Sequence, residues 1–380
     1  MPASPLLLLV PYRYKAAVLY SQIPISASAS GDFVVSRAGN TASRILGNGN
    51  IETGVLANIA RINYPRTGVA SGCAGLLVEP AATNLLFYSE EFGNAYWTKN
   101  NVTAQDNVSI SPAGTLTADN VYPSVSGTDL RIQRSFTVNS GTTYTVSVFV
   151  KANGVNWIRF FGAEFVSTAA WFNVLSGTIG VVNPGLTAKI ENYGNGWHRV
   201  SVTQTAASTK TGQFYINLAD GNGSSTITPN GTNGVLLWGA QLEVGSVATS
   251  YIPTTTGTVT RNSDVITNNQ FVIPNLIGAI LTEFESPTSG TYFVDNLPVT
   301  LVSGYNKVAI SYTPTTITVY RNGTQVSGSP FSPPGGVLPI LGNVINIGHN
   351  NQYYQLGANI RSFVLYSSTL TAAEASGLTT

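Results

Sequence analysis

Alternation of apolar and polar residues with a period of two dominates this chain. Tyr144 to Lys151 reads YTVSVFVK. Tyr144, Val146, Val148 and Val150 fall on one face, and Thr145, Ser147, Phe149 and Lys151 on the other, as successive side chains of a strand must. Trp157 to Phe161 sets Ile158 and Phe160 against Trp157, Arg159 and Phe161. Trp197 to Thr203 turns His198, Val200 and Val202 inward, and Phe214 to Leu218 turns Phe214, Ile216 and Leu218 inward, with Tyr215 and Asn217 outward. Leu236 to Thr254, LLWGAQLEVGSVATSYIPT, reads as a buried strand, a glycine-marked turn and an extended exit that stops at Pro253. Alternation puts Leu236, Trp238, Ala240 and Leu242 on one face of it and Leu237, Gln241 and Glu243 on the other. Lys307 to Tyr312 and Thr316 to Arg321 repeat the pattern, and Asn322-Gly323 is a strong hairpin signal. Only Thr371 to Leu378 predicts a helix.

Many short strands separated by Gly and Asn turns predict an all-β fold built from sandwiches. Three units follow from the punctuation. Residues 1–80 form an arm with short strands, among them Asp32 to Arg37 and the pair around the Asn48-Gly49-Asn50 turn. Residues 81–253 form a sandwich. The Thr254 to Thr258 run then leads into a second, smaller sandwich at 259–380.

Composition narrows the function classes. Charged residues are 9% of the 380, well below the roughly 25% of an average soluble protein. Net charge is +1, so electrostatics make no case for nucleic acid or an acidic membrane surface. No run reaches the roughly 18 apolar residues of a membrane helix. The apolar start, Leu6 to Val10, is bracketed by Pro5 and Pro11 and lacks a basic lead, so it reads as an extended arm that packs on a neighbour rather than as a signal peptide. The lone Cys73 sits in a small-residue loop and reads as an inert thiol.

Several stretches, taken in order, resemble bacteriophage structural proteins. They are Gly31 to Ala38, Gly49 to Glu52, Ala60 to Tyr64, Leu76 to Pro80 with Thr83 to Leu85, and Tyr88 to Phe92 with Trp97. The series continues with Gly114 to Asp119, Gly194 to Val200, Ala248 to Thr254 and Thr260 to Asp264. The set is similar to a phage domain related to carbohydrate-binding-module jelly rolls and covers about Asp32 to Asp264. The last unit is similar, more loosely, to laminin-G or concanavalin-like sandwiches, through Asn306 to Ile310, Val319 to Gly323 and Gly357 to Tyr366. The resemblance implies a jelly roll followed by a concanavalin-like domain. It also implies a virion component on a tail or surface fibre, assembled in the bacterial cytoplasm as a homo-oligomer such as a trimer. Its partners would be other virion proteins, sister chains and host-surface glycans.

Candidate chemistry points to binding before catalysis. The outward face of the central unit collects Phe149, Lys151, Trp157, Arg159, Phe161, Tyr215 and Asn217. Aromatic rings flanked by amides and charges suit sugars, which present apolar faces and polar edges. The competing reading is that a loop, a domain or a protomer covers this face. His198 reads as a core histidine and His349 as part of a solvated turn. Glu164, Glu191, Glu243, Glu283 and Glu285 are the carboxylates from which a glycoside hydrolase would draw its pair, but the sequence brings no two of them across a cleft. No cofactor or metal cluster is expected. Calcium could find oxygens in Asp220-Gly221-Asn222-Gly223, but one Asp and one Asn are too few. A glycan-binding virion protein, a purely architectural one and a capsule-degrading hydrolase therefore stand in that order, with no catalytic residue assigned.

Overall fold

The computed structural model describes residues 5–9, 13–15, 18–20, 33–66, 74–162, 168–224, 226–228, 230–268, 278–286, 290–294, 297–301, 304–313, 315–326, 329, 345–347, 358–366 and 369–380. Expectations placed on Cys73, Glu164 and His349 lie outside them.

The protein is all-β, with one short helix among the described residues. Its centre is a sandwich of two six-stranded antiparallel sheets. The front sheet runs Thr98–Asn100, Arg131–Val138, Lys210–Ala219, Trp157–Gly162, Thr168–Asn173, Thr178–Val182. The back sheet runs Val102–Ile110, Leu116–Pro123, Gly234–Val244, Thr143–Asn153, Trp197–Thr205, Thr187–Gly194. The inward faces meet in one core. Ile132, Ile158, Phe160, Phe172, Ile216 and Leu218 come from the front, and Val148, Val150, Val200, Leu237 and Leu242 from the back. Each such side chain contributes about 1.5–3 kcal/mol by leaving water, which is why the period-two pattern decides the fold.

One strand departs from simple alternation. In Gly234–Val244 a register shift occurs opposite Ser147 and Phe149, and Gly239 takes φ +64°. This is a bulge, which turns later side chains to the other face. Leu236 and Trp238 therefore join Phe149, Trp197, Tyr251 and Ile51 in a second cluster behind the back sheet, while Ala240 and Leu242 join Leu237 in the main core. The expectation that Leu236, Trp238, Ala240 and Leu242 share a face is corrected on this ground. A side chain at Gly239 would also sit 3.0 Å from the Phe149 ring and 3.1 Å from Tyr251.

The chain ends interleave. An eight-stranded sheet holds Gly278–Ser286, Gly304–Tyr312, Ile317–Arg321 and Ala358–Tyr366 from the C-terminal part, together with Arg61–Asn63 and Gly75–Val78 from the N-terminal part. Pro5–Leu9 also pairs with Ala358–Tyr366, so the backbone of the apolar arm is engaged within its own chain. Val34–Ser36 pairs with Val265–Asn268, and Ala82–Asn84 with Val259–Arg261. The hairpin signal at Asn322-Gly323 joins Ile317–Arg321 to Thr324–Gln325, with both turn residues at positive φ. The helix is Ala372–Thr379, started by a capping box between Thr371 and Glu374.

Candidate functional site

The front sheet's outward face carries the aromatic and polar residues expected of a binding surface, arranged in rows by strand register. Arg131 and Arg159 both lie directly opposite Asn217, on its two sides, and Trp171 lies opposite Arg159. The next row sets Gln133 and Phe161 opposite Tyr215. The side chain of Phe161 lies outside the described residues. Trp157 begins a further row, opposite Ala219 and Asn173. Four of the expected residues, Trp157, Arg159, Tyr215 and Asn217, are thus brought together on one sheet, because alternation in neighbouring strands is in phase.

Phe149 and Lys151 are not. Their strand belongs to the back sheet, between Trp197–Thr205 and Gly234–Val244. Phe149 is fully buried, with Tyr193, Trp238 and Tyr251 edge-on to its ring at 4.9, 5.3 and 6.0 Å. The chain's own exit at Tyr251 and the hairpin residue Ile51 cover it. Alternation assigned the face correctly but could not tell which sheet the strand joins.

The front face has a floor and a rim. Trp171, Tyr215 and Asn217 are 9%, 5% and 1% exposed, whereas Trp157, Arg159, Arg131 and Gln133 are half-buried. Each floor ring is fixed. Trp171 donates its indole Nε1 to the Ser224 carbonyl at 2.7 Å, and the Tyr215 hydroxyl donates to Gln213, whose amide donates to Ser135 at 2.9 Å. Arg131 stacks over Tyr215 at 4.5 Å and Arg159 over Trp171 at 5.6 Å. Arg131 also bonds Gln133 and pairs with Asp129. Burial, and then the like charge of Arg131, hold the Arg159 pKa below its ordinary value. Gly180 leaves room for Trp157, whose ring would lie 2.8 Å from any Cβ there.

Asn217 differs from its neighbours. Both polar atoms of its amide are buried and have no hydrogen-bond partner among the described residues. An unsatisfied buried amide costs about 1–3 kcal/mol, so its retention calls for a reason. Neither Trp171 nor Arg131 was expected at the site. Thr168–Asn173 alternates Ala170 and Phe172 inward against Trp171 outward, which was the available signal.

The other expected groups are engaged in structure. His198 is buried, and burial lowers its pKa. Glu191 pairs with Arg66 and Lys189, and Glu285 with Arg361 at 3.8 Å. Glu243 accepts from Thr249. Asn222 accepts from the Val181 amide at 2.7 Å, which commits one of the side-chain oxygens of the turn considered for calcium. Among the described residues no group of three or more His, Cys, Asp or Glu could hold a metal ion.

A knot of buried charge has no counterpart in the sequence reading. Arg61 reaches Glu79 at 2.6 Å and also Asp264. Arg37 reaches Asp264 at 2.8 Å, and Arg261 lies 3.5 Å from Glu79. Ser250 donates to Glu79 through its amide and hydroxyl at 2.8 and 2.6 Å. Burial alone would raise the Glu79 pKa, but Arg261 and Arg61 with the Ser250 bonds overcome it and hold the group at about 2. The knot ties residues near the start of the chain to the segment that leaves the sandwich.

Neither a scan of known protein families nor a search of curated proteins returns a match to this chain.

Proposed function

We propose that this chain is a bacteriophage virion protein, a tail or surface-fibre component, that aids adsorption through weak glycan contact on the front face of its central sandwich. The carrying observation is the row Arg131, Asn217, Arg159, Trp171, which sets an unsatisfied amide between two guanidiniums and beside fixed aromatic rings. Rings that stack on sugars and amides that bond their hydroxyls are the usual parts of such a site. The ordered likeness to phage structural proteins supports the virion assignment. Several copies on one particle would turn weak single contacts into useful avidity.

The test is retention of the full chain on an array of bacterial surface glycans, with Trp157→Ala and Tyr215→Phe beside it. Tyr215→Phe keeps the buried ring and removes only its hydroxyl. Loss of retention in Trp157→Ala at unchanged thermal stability is the expected result. Equal retention by Trp157→Ala and the unaltered chain would overturn the site.

A second reading, an architectural virion protein without a ligand, is favoured by the low exposure of Trp171 and Tyr215. It expects no glycan to be retained at all.

A further inference from the structure

Resting on the glycan reading, we infer that the sugar received at the Trp157 end of the front face is N-acetylated. Its acetamido carbonyl accepts from the side-chain NH2 group of Asn222, with that of Asn173 as a second donor, and its methyl group lies on the Trp157 ring. The inference starts from how three side chains meet. Trp157 is half-buried, packed with Trp171 and Ala219, so part of its ring faces solvent. Asn173 lies directly opposite it on the neighbouring strand, which sets the two about 5 Å apart at Cβ. Asn222 arrives from the turn that follows Lys210–Ala219. A Cβ at Gly180 would collide with the Asn222 Oδ1 and lie 2.8 Å from the Trp157 ring, so both side chains close on the one point where glycine leaves room.

Both amides are held one way round. The Asn173 Oδ1 accepts from the Leu175 and Ser176 amides at 3.1 and 3.0 Å, and the Asn222 Oδ1 from the Val181 amide at 2.7 Å. A backbone N–H can only donate, so each oxygen is committed to it and each NH2 group is left over as a donor. Among the described residues neither NH2 group has a partner. The turn that carries Asn222 is latched to the sheet a second time, where the Trp171 indole donates to the Ser224 carbonyl at 2.7 Å. A ligand therefore meets fixed donors beside an aromatic ring.

That combination selects among sugars. An acetamido group brings a carbonyl that meets the donors and a methyl that the ring takes out of water. A hydroxyl could accept as well, but it leaves its own O–H to be met and the ring without an apolar cap. An ammonium would set donor against donor. An acidic group would find no free cation in the adjacent row: Arg131 pairs with Asp129 and bonds Gln133, and Arg159 is engaged beyond its contact with Trp171. The charge on the turn itself is the exposed Asp220, whose sign turns acidic groups away.

Within the array of bacterial surface glycans, polysaccharides that carry N-acetyl groups are set beside their de-N-acetylated forms and the same material acetylated again. The full chain, Asn222→Asp and Asn173→Asp are applied at low and high salt. Aspartate keeps the oxygen that accepts from the backbone and replaces the NH2 donor by a second acceptor. Expected is retention of at least one N-acetylated polymer, lost tenfold or more on de-N-acetylation, regained on re-acetylation and little changed by salt. Asn222→Asp should lose tenfold or more, and Asn173→Asp a smaller factor, at unchanged thermal midpoints. Equal or greater retention after the acetyl groups are removed, retention confined to glycans without them, or full retention by Asn222→Asp would overturn this inference and leave the glycan reading standing. Retention of no glycan by the unaltered chain would overturn both.

Discussion

Arginines gather in two places in this molecule, and the two are built on opposite terms. In the knot, Arg37 bonds Asp264 and the carbonyls of Ile59, Val55 and Leu56. Arg61 bonds Glu79, Asp264, Ser250 and the Ser43 carbonyl. Arg261 has no hydrogen bond there, but Glu79 at 3.5 Å answers its charge. On the front face the guanidiniums lie on rings, Arg131 also pairs with Asp129, and no described residue bonds the amide between them. Burial of polar groups is tolerated where partners are complete. The knot's carboxylates, Glu79 and Asp264, meet that condition, and Glu79 answers the charge of Arg261, so the knot reads as architecture. The amide of Asn217 does not, and its retention at a stability cost is the ground on which a site is proposed there.

The largest effect that could break this contrast lies in the knot. Arg61→Met removes one partner of two buried carboxylates and should cost about 3–5 kcal/mol, read as a lowered urea midpoint. Arg159→Gln on the face should change the same midpoint by less than about 1 kcal/mol. A reversal of that order would mean that the two regions have been assigned the wrong way round.

Acid sharpens the same contrast. Glu79 is held at about 2 when folded, below its usual 4.5. A depressed carboxylate contributes stability above its unfolded pKa and loses it as pH falls toward the folded one. Stability should therefore drop between pH 4.5 and 2, by on the order of 3 kcal/mol from this group. Asp119 carries the opposite sign. Burial raises its pKa to about 7, against the Phe92 and Asn107 amide bonds. Its contribution is full below its unfolded value near 3.8 and declines as pH climbs to 7. Glu79→Gln should flatten the acid limb and Asp119→Asn the limb above it, both visible in thermal midpoints taken across pH.

The face was legible in the sequence because it rests on local pattern. Trp157, Arg159, Tyr215 and Asn217 alternate against Ile158, Phe160, Ile216 and Leu218, and burial of the second set orients the first. Phe149 and Lys151 satisfied the same pattern and failed because alternation says nothing of which strands become neighbours. Ala240 and Leu242 lay beyond a bulge at Gly239, where one extra residue resets the period and parts them from Leu236 and Trp238. The knot was illegible for a different reason. Arg61 and Asp264 are 203 positions apart, and Arg37 and Asp264 are 227 apart. No periodicity links residues at such distance; they appeared only as fragments of a family likeness.

The central claim is that Asn217 is kept for a ligand and not for the fold. Asn217→Leu tests it with one paired measurement, the thermal midpoint and the retention of the glycan that the unaltered chain binds. Leucine nearly matches the amide in shape and removes its unmet hydrogen bonds. The variant should be as stable as the original or gain about 1 kcal/mol, while retention falls tenfold or more. A variant that loses stability yet retains the glycan unchanged would contradict the account.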